Sequence, residues 1–329
     1  MIKRLSVIHA DGSDPVQNLA LESVLMELVH PEEMILYLWQ NDNTIVIGKN
    51  QNIRKECQLE RIRENGVHLV RRSSGGGAVY HDLGNLNFSF ITKDENYDVK
   101  RQTEILCDAL ASFGIEAAVS GRNDVTVQGR KVSGNAYYHS HGVSLQHGTL
   151  LIDTDLTAMS RYLRPDPEKL KARGVDSVRS RVMNLKEICP QIDPENARKA
   201  MIHAAEKEYG CMPQPFERMD PSRLEMYIRR YGSEEWIFGP DIPFEEVLEK
   251  RFAWGGIRFE FHVENDRITE LSVWSDSMDP ETIDAMKEIL RGIPYRMSEI
   301  YSRFCTLPES TVRDDILVWL KQLEEQNAV

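Results

Sequence analysis

The chain has 329 residues, 41% hydrophobic and 28% charged, an ordinary globular balance, and its length favours two domains over one. A formal net charge of -12 and an isoelectric point near 5.3 repel a phosphate backbone, which argues against general nucleic-acid binding. No run of about 18 apolar residues exists to span a membrane.

The N-terminal Met1–Ser6 lacks the apolar stretch of a secretory signal, so a cytoplasmic location is expected. The 5 scattered cysteines contain no C-x-x-C pair and fit neither a disulfide framework nor a zinc knuckle. Asp14 and Pro15 predict a capped helix start. Leu21, Val24, Leu25 and Leu28 then fall on one apolar face until Pro31 stops it. Met34–Trp39 and Thr44–Gly48 read as strands around a polar turn, and Lys55–Asn65 as a helix ended by Gly66.

Val67–Arg72 predicts a strand, followed by Ser73-Ser74-Gly75-Gly76-Gly77 and a second strand from Ala78. Asp82–Asn85 turns the chain into the strand Leu86–Ile91, and Leu106, Ala109, Leu110 and Phe113 mark a helix face. Short strands are expected around Ile115–Val119, Val125–Val127, Lys131–Ser133 and Ser144–Ile152. From Thr157 to Gly210 the pattern turns mainly helical, and five prolines between Pro213 and Pro243 break up an irregular stretch. The alternation Ile257, Phe259, Phe261, Val263 predicts a half-buried strand, Ile268–Trp274 its partner, and two helical segments close the chain. The domains expected are residues 1–245 and a small α+β unit over 250–329.

Three segments carry chemistry. In Arg71-Arg72-Ser73-Ser74-Gly75-Gly76-Gly77-Ala78-Val79-Tyr80 the glycines cost backbone entropy and let a ligand approach successive N–H groups. A Ser/Gly run is more often a linker, but this one lies between strands. Neighbouring strand residues face opposite ways, so one arginine is expected at the ligand, Arg72, with Arg71 left as solvent or structural charge. In Gly121–Ala136, Lys131 stands just before Ser133 and Gly134, where a compact ammonium can point inward. In Gln146–Asp153, Gly148 allows close approach to an apolar strand. His139, His141 and His147 lack a spaced acidic or cysteine partner, so no metal site is expected.

Together, Arg71–Asn87 (RRSSGGGAVYHDLGNLN), Gly121–Ala136 (GRNDVTVQGRKVSGNA) and His147–Leu151 (HGTLL) resemble the lipoate–protein ligase A family of the biotin/lipoate ligase superfamily. Leu38–Asn52 and Ser177–Leu185 resemble it too, and the tail from about Glu249 is similar to its accessory domain. The resemblance implies an α+β fold: a mixed-sheet biotin/lipoate-ligase-like catalytic domain plus a small α+β C-terminal accessory domain. It implies that Arg72 lies near the ligand phosphate, that the backbone of Gly77, Ala78, Val79 and Tyr80 holds nucleotide and acyl chain, and that Ser74, Gly75, Gly76 and His81 also bind substrate or ATP. By the same resemblance Asn85 and Asp124 are expected near the nucleotide, Lys131 at both carboxyl and α-phosphate, and His147 and Gly148 at the wall of the lipoyl pocket.

The implied reaction uses ATP and Mg2+ to convert lipoate to lipoyl-AMP. The lipoyl group then passes to a lysine of an apo-lipoyl domain, from a 2-oxoacid dehydrogenase E2 subunit or the glycine cleavage H protein. The C-terminal unit is expected to move and so close the site. Octanoate is an alternative substrate, since pockets reject a shorter or slimmer chain weakly. The rival activity is lipoyl or octanoyl transfer between carrier proteins through a cysteine thioester. No cysteine lies in the three segments, which weighs against it. Biotin ligase and a non-catalytic lipoate carrier are further rivals, disfavoured by the lipoate-type motifs and the intact Lys131.

Overall fold

The computed structural model describes residues 1–121, 123–164, 182–240 and 242–327. Arg122 and most of the Ser177–Leu185 motif lie outside the described residues. Two compact units form: Met1–Ile47, Arg54–Arg72 and Ala78–Ile237 in the first, Gly48–Ile53, Ser73–Gly77 and Phe238–Val329 in the second.

The first unit is built on strands β1 (Arg4–His9), β2 (Glu33–Trp39), β3 (Thr44–Ile47), β4 (His68–Arg71), β5 (Val79–His81), β6 (Asn85–Lys93), β7 (Ala117–Ser120), β8 (Asp124–Val127), β9 (Arg130–Ser140), β10 (Val143–Leu151) and β11 (Pro213–Pro215). Eight of them form one mixed sheet in the order β11-β1-β2-β6-β10-β9-β8-β7, and β4-β3-β5 form a second, three-stranded sheet. Pro213 and Pro215 sit on an edge strand, where a missing N–H costs no ladder bond.

The β2 sequence Met34-Ile35-Leu36-Tyr37-Leu38-Trp39 is apolar throughout because both faces of the large sheet are covered. Met34, Leu36 and Leu38, with Phe88 and Phe90, pack against Leu106 and Leu110 of the helix Val99–Ala111 and Met201 of the helix Pro194–Tyr209. Ile35, Tyr37 and Trp39 share the other face with Leu19, Leu25 and Met26 of the helix Pro15–Leu28. That helix starts as expected: the Asp14 carboxylate accepts from the N–H groups of Val16 and Gln17.

In the second unit β12 (Glu246–Phe252), β13 (Gly255–Glu264) and β14 (Arg267–Ser275) form an antiparallel sheet. Ile257, Phe259, Phe261 and Val273 pack against Ile283, Met286, Ile300, Phe304 and Ile316 from three helices, Pro280–Leu290, Met297–Phe304 and Thr311–Asn327. The mixed-sheet α+β architecture follows the expectation.

Several local expectations are corrected. Lys55–Asn65 is two short helices, Ile53–Glu56 and Leu59–Glu64, because Cys57 pairs with Leu163 and breaks the helix between them. The strand at Lys131 is not three residues long but runs Arg130–Ser140. The proline-interrupted stretch contains β11 and the helix Pro221–Tyr231, with Pro221 at the helix start where its missing N–H is harmless. Strands β1 and β12 were not foreseen, and three helices rather than two close the chain.

Candidate functional site

One end of the site is a buried polar chamber under the helix Pro15–Leu28. Glu22, on that helix, is 1% exposed. Its carboxylate accepts from Ser89 Oγ at 2.5 Å and lies 2.9 Å from Nδ1 of His147. The Trp39 indole donates to Ser89 Oγ at 3.0 Å, which orients the hydroxyl toward Glu22. Ser89 and His147 are register partners on β6 and β10, so the sheet sets them side by side.

Arg72 is buried and donates to the Val46 carbonyl. Burial lowers its pKa to about 10, while the negative charge of Glu22 acts in the opposite direction, so the guanidinium remains charged near neutral pH. Arg71, by contrast, is structural. It is buried, and its guanidinium donates to the carbonyls of Trp236 and Ile237 while its own carbonyl accepts from the Trp236 indole. Of the two readings left open for Arg71, solvent charge is ruled out.

His81 completes the chamber, edge-on to Trp39 at 6.3 Å between ring centroids. Burial, then the Arg72 guanidinium and the His147 ring, push its pKa down to about 3, so the ring is neutral. A chain of hydrogen bonds fixes its tautomer. Tyr37 OH donates to Asn18 Oδ1, Asn18 Nδ2 to Asn41 Oδ1, and Asn41 Nδ2 to His81 Nδ1 at 3.2 Å. Nε2 therefore carries the proton, and it has no hydrogen-bond partner among the described residues.

A pH dependence follows. The folded-state pKa lies below the unfolded value of 6.5, so only the unfolded chain takes up this proton as pH falls. Stability contributed by neutral His81 should be complete above that value. It should be lost below it at about 1.4 kcal/mol per pH unit. Urea midpoints for wild type and His81→Gln at about pH 7 and about pH 5 check this. The wild type should lose more stability on acidification than the variant; parallel losses would rule His81 out as the cause.

At the other end stands Lys131. Its ammonium lies 2.7 Å from Asp124 Oδ1, with the side chain 33% exposed. A β-bulge aims it there. Val125 pairs with Ser133 and Thr126 with Lys131, so Val132 is the extra residue, fully buried in the core. The bulge brings Lys131 over Gly134, whose missing Cβ would lie 2.6 Å from Nζ. The Gly134 N–H donates to Thr149 Oγ1 at 3.3 Å. Asn123 and Asn135 hold the adjoining turn by reciprocal amide-to-carbonyl bonds.

The two ends share one face of the large sheet. Asn85, Asn87 and Ser89 alternate onto it from β6, His147 and Thr149 from β10. Asn87 sits centrally, across from Trp39 on one side and Thr149 on the other. Gly148 does not open toward this face: an added Cβ would strike Phe88 at 2.5 Å and the Gly134 carbonyl at 2.7 Å, so packing requires the glycine. Tyr80 donates to Asn43 Oδ1 and stacks obliquely on Tyr162. Ala78 and Val79 are half-buried beside it.

Ser74, Gly75, Gly76 and Gly77 belong to the second unit. There the Ser74 carbonyl accepts from Lys49 N, and the Gly76 N–H donates to the Ser277 carbonyl at 2.9 Å. A Cβ on Gly75 would lie 2.3 Å from the Ser277 oxygen, whereas Gly77 faces open space. Much of the glycine run is thus demanded by backbone packing. Glu22, Trp39, Asn87, Ser89 and Thr149 were missed by sequence reasoning. The available signal was polar residues, Asn18 and Glu22, one helical turn apart inside an otherwise apolar stripe.

Residues 14–206 match the family model of the lipoyl protein ligase A/B catalytic domain, and residues 241–320 that of the bacterial lipoate protein ligase C-terminus. P. falciparum LipL1, solved in complex with lipoate, is 32% identical at a TM-score of 0.85, over 97% of this chain and 99% of that one. A bipartite lipoate protein ligase of Thermoplasma acidophilum, solved with its E2 lipoyl domain, is 28% identical at 0.63, over 73% and 97%. A lipoate-protein ligase A bound with ATP is 26% identical at 0.62, over 73% and 99%.

Proposed function

Since the chain belongs to the lipoate–protein ligase family, we propose that it activates lipoate with ATP and passes the lipoyl group to a lysine of an apo-lipoyl domain. The observation that carries this reading is the Lys131 ammonium, aimed by a bulge and held by Asp124 on the sheet face that leads to the Glu22–His147 chamber.

An acyl chain laid along that face has its carboxylate at Lys131. The carboxylate and the α-phosphate repel each other, and an ammonium between them screens that repulsion and stabilises charge developing in flight. A carboxylate oxygen attacks the α-phosphorus, the bond to the bridging oxygen breaks, and pyrophosphate leaves. Lipoyl-AMP is a mixed anhydride, which water must not reach. The neutral ε-amine of the acceptor lysine then attacks the acyl carbonyl, AMP departs with the bonding pair, and the new amide loses a proton.

We assign Arg72, Ala78–His81, Asn85 and Asp124 to substrate and nucleotide, and His147 to the lipoyl wall; Gly148, packed against Phe88, is structural. Among the described residues no group of three His, Cys, Asp or Glu side chains could hold a metal. Mg2+, held mainly by phosphates and water, would need few protein carboxylates and would neutralise phosphate charge. Cys57 is buried, with its thiol pushed up to about 12 chiefly by burial, which disqualifies it as a thioester nucleophile.

Incubating the protein with ATP, Mg2+, lipoate and apo-lipoyl domains, E2 and H protein in parallel, tests the reading by acceptor mass and AMP. One lipoyl mass per AMP, absent without ATP, is expected. Transfer from an acylated carrier without ATP would replace it with the transferase reading.

A further inference from the structure

Across the site face, Trp39, Asn87 and Thr149 are consecutive register partners on β2, β6 and β10. Gly134 on β9 bonds to Thr149, and Lys131 lies against Gly134. From β9 to β6 is two inter-strand steps of about 4.8 Å each. A carboxylate at Lys131 therefore carries the far carbons of an eight-carbon chain over β10 to Asn87. In lipoate those far carbons, C6 and C8, bear the two sulfur atoms; in octanoate they bear only hydrogen.

Asn87 is 1% exposed. Asn85 Nδ2 donates to Asn87 Oδ1 at 2.8 Å. This leaves Asn87 Nδ2, a buried donor, with no partner among the described residues. The protonated Nε2 of His81, beside Trp39, is a second such donor. A buried donor without a partner is costly, and a bound ligand is one way to satisfy it. Sulfur is a weak acceptor and a methylene is none.

We propose that Asn87 is a specificity-determining residue whose buried Nδ2 meets the sulfur-bearing end of the lipoyl chain and selects lipoate over octanoate. The inference rests on the ligase reading above and names the acid that site prefers. With lipoate bound, the donor gains a partner; with octanoate it stays unpaired and dry.

The test is kcat/KM for lipoate and for octanoate in acid-dependent ATP–pyrophosphate exchange, using wild type, Asn87→Leu and Asn87→Val. The valine variant guards against a leucine too large for the strand, since β-branched residues suit a central strand. The wild type should prefer lipoate. In the variants the lipoate-to-octanoate ratio should fall by about tenfold, with lipoate losing and octanoate unchanged or gaining. Damage to folding moves both acids together and cannot give that crossing. A ratio unchanged in both variants overturns the role of Asn87 and leaves the ligase reading standing. A wild type that exchanges pyrophosphate with neither acid overturns both.

Discussion

Lys131→Met should lower the rate of lipoate-dependent adenylation by about 10²–10³-fold while changing lipoate affinity much less. Methionine keeps the length of the side chain and removes its charge. The ammonium acts mostly where charge develops between carboxylate and α-phosphate, so its loss belongs in kcat more than in binding. Lys131→Arg should recover little, because Nζ lies only 2.6 Å from where a Cβ on Gly134 would sit, and the broader guanidinium needs more room. Single-turnover adenylation and calorimetric lipoate binding, run on the same preparations, separate the two effects. Equal losses in rate and binding would reduce Lys131 to a binding residue; an unaltered rate would remove it from the chemistry.

A stability effect as large is expected at Gly84→Ala. A Cβ there would lie 2.1 Å from the Asp153 carbonyl oxygen, 2.3 Å from its carbon and 2.8 Å from Thr154 N. All three are backbone atoms, so no rotamer change relieves the overlap and the turn must part from its neighbour. That neighbour is bound to it: Ile152 N and Asp153 N both donate to the Gly84 carbonyl, and Asp155 N donates to Asp82 Oδ2. Overpacking with loss of buried hydrogen bonds should cost about 3 kcal/mol or more. Gly12→Ala, with open space at its Cβ, is the control and should stay within about 0.5 kcal/mol of wild type. Urea unfolding followed by two probes measures both, and coincident midpoints for the two variants would refute the packing account.

Local chemistry was legible in the sequence wherever a short pattern has one physical solution. Asp14-Pro15 gave a cap, and the alternation from Ile257 to Val263 gave a strand with one face in a core. What stayed hidden depends on partners distant in sequence. Nothing in Lys55–Asn65 announces that Cys57 will pair with Leu163. Strict alternation would put Lys131 on the face of Ser133, and only the bulge at Val132 brings it over Gly134. The partners of Glu22, Ser89 and His147, arrive from two other strands and leave no mark on the helix sequence. Asn87 reads as one polar residue in a strand until its register places it between Trp39 and Thr149.

The measurement closest to the centre of the account is exchange of labelled pyrophosphate into ATP in the absence of any acceptor protein. Exchange that requires lipoate and Mg2+, and that collapses in Lys131→Met, is the predicted result, because adenylation is reversible and needs no second protein. Incorporation of label without lipoate, or none at all from a preparation that lipoylates acceptors, would contradict an acyl-adenylate formed at Lys131.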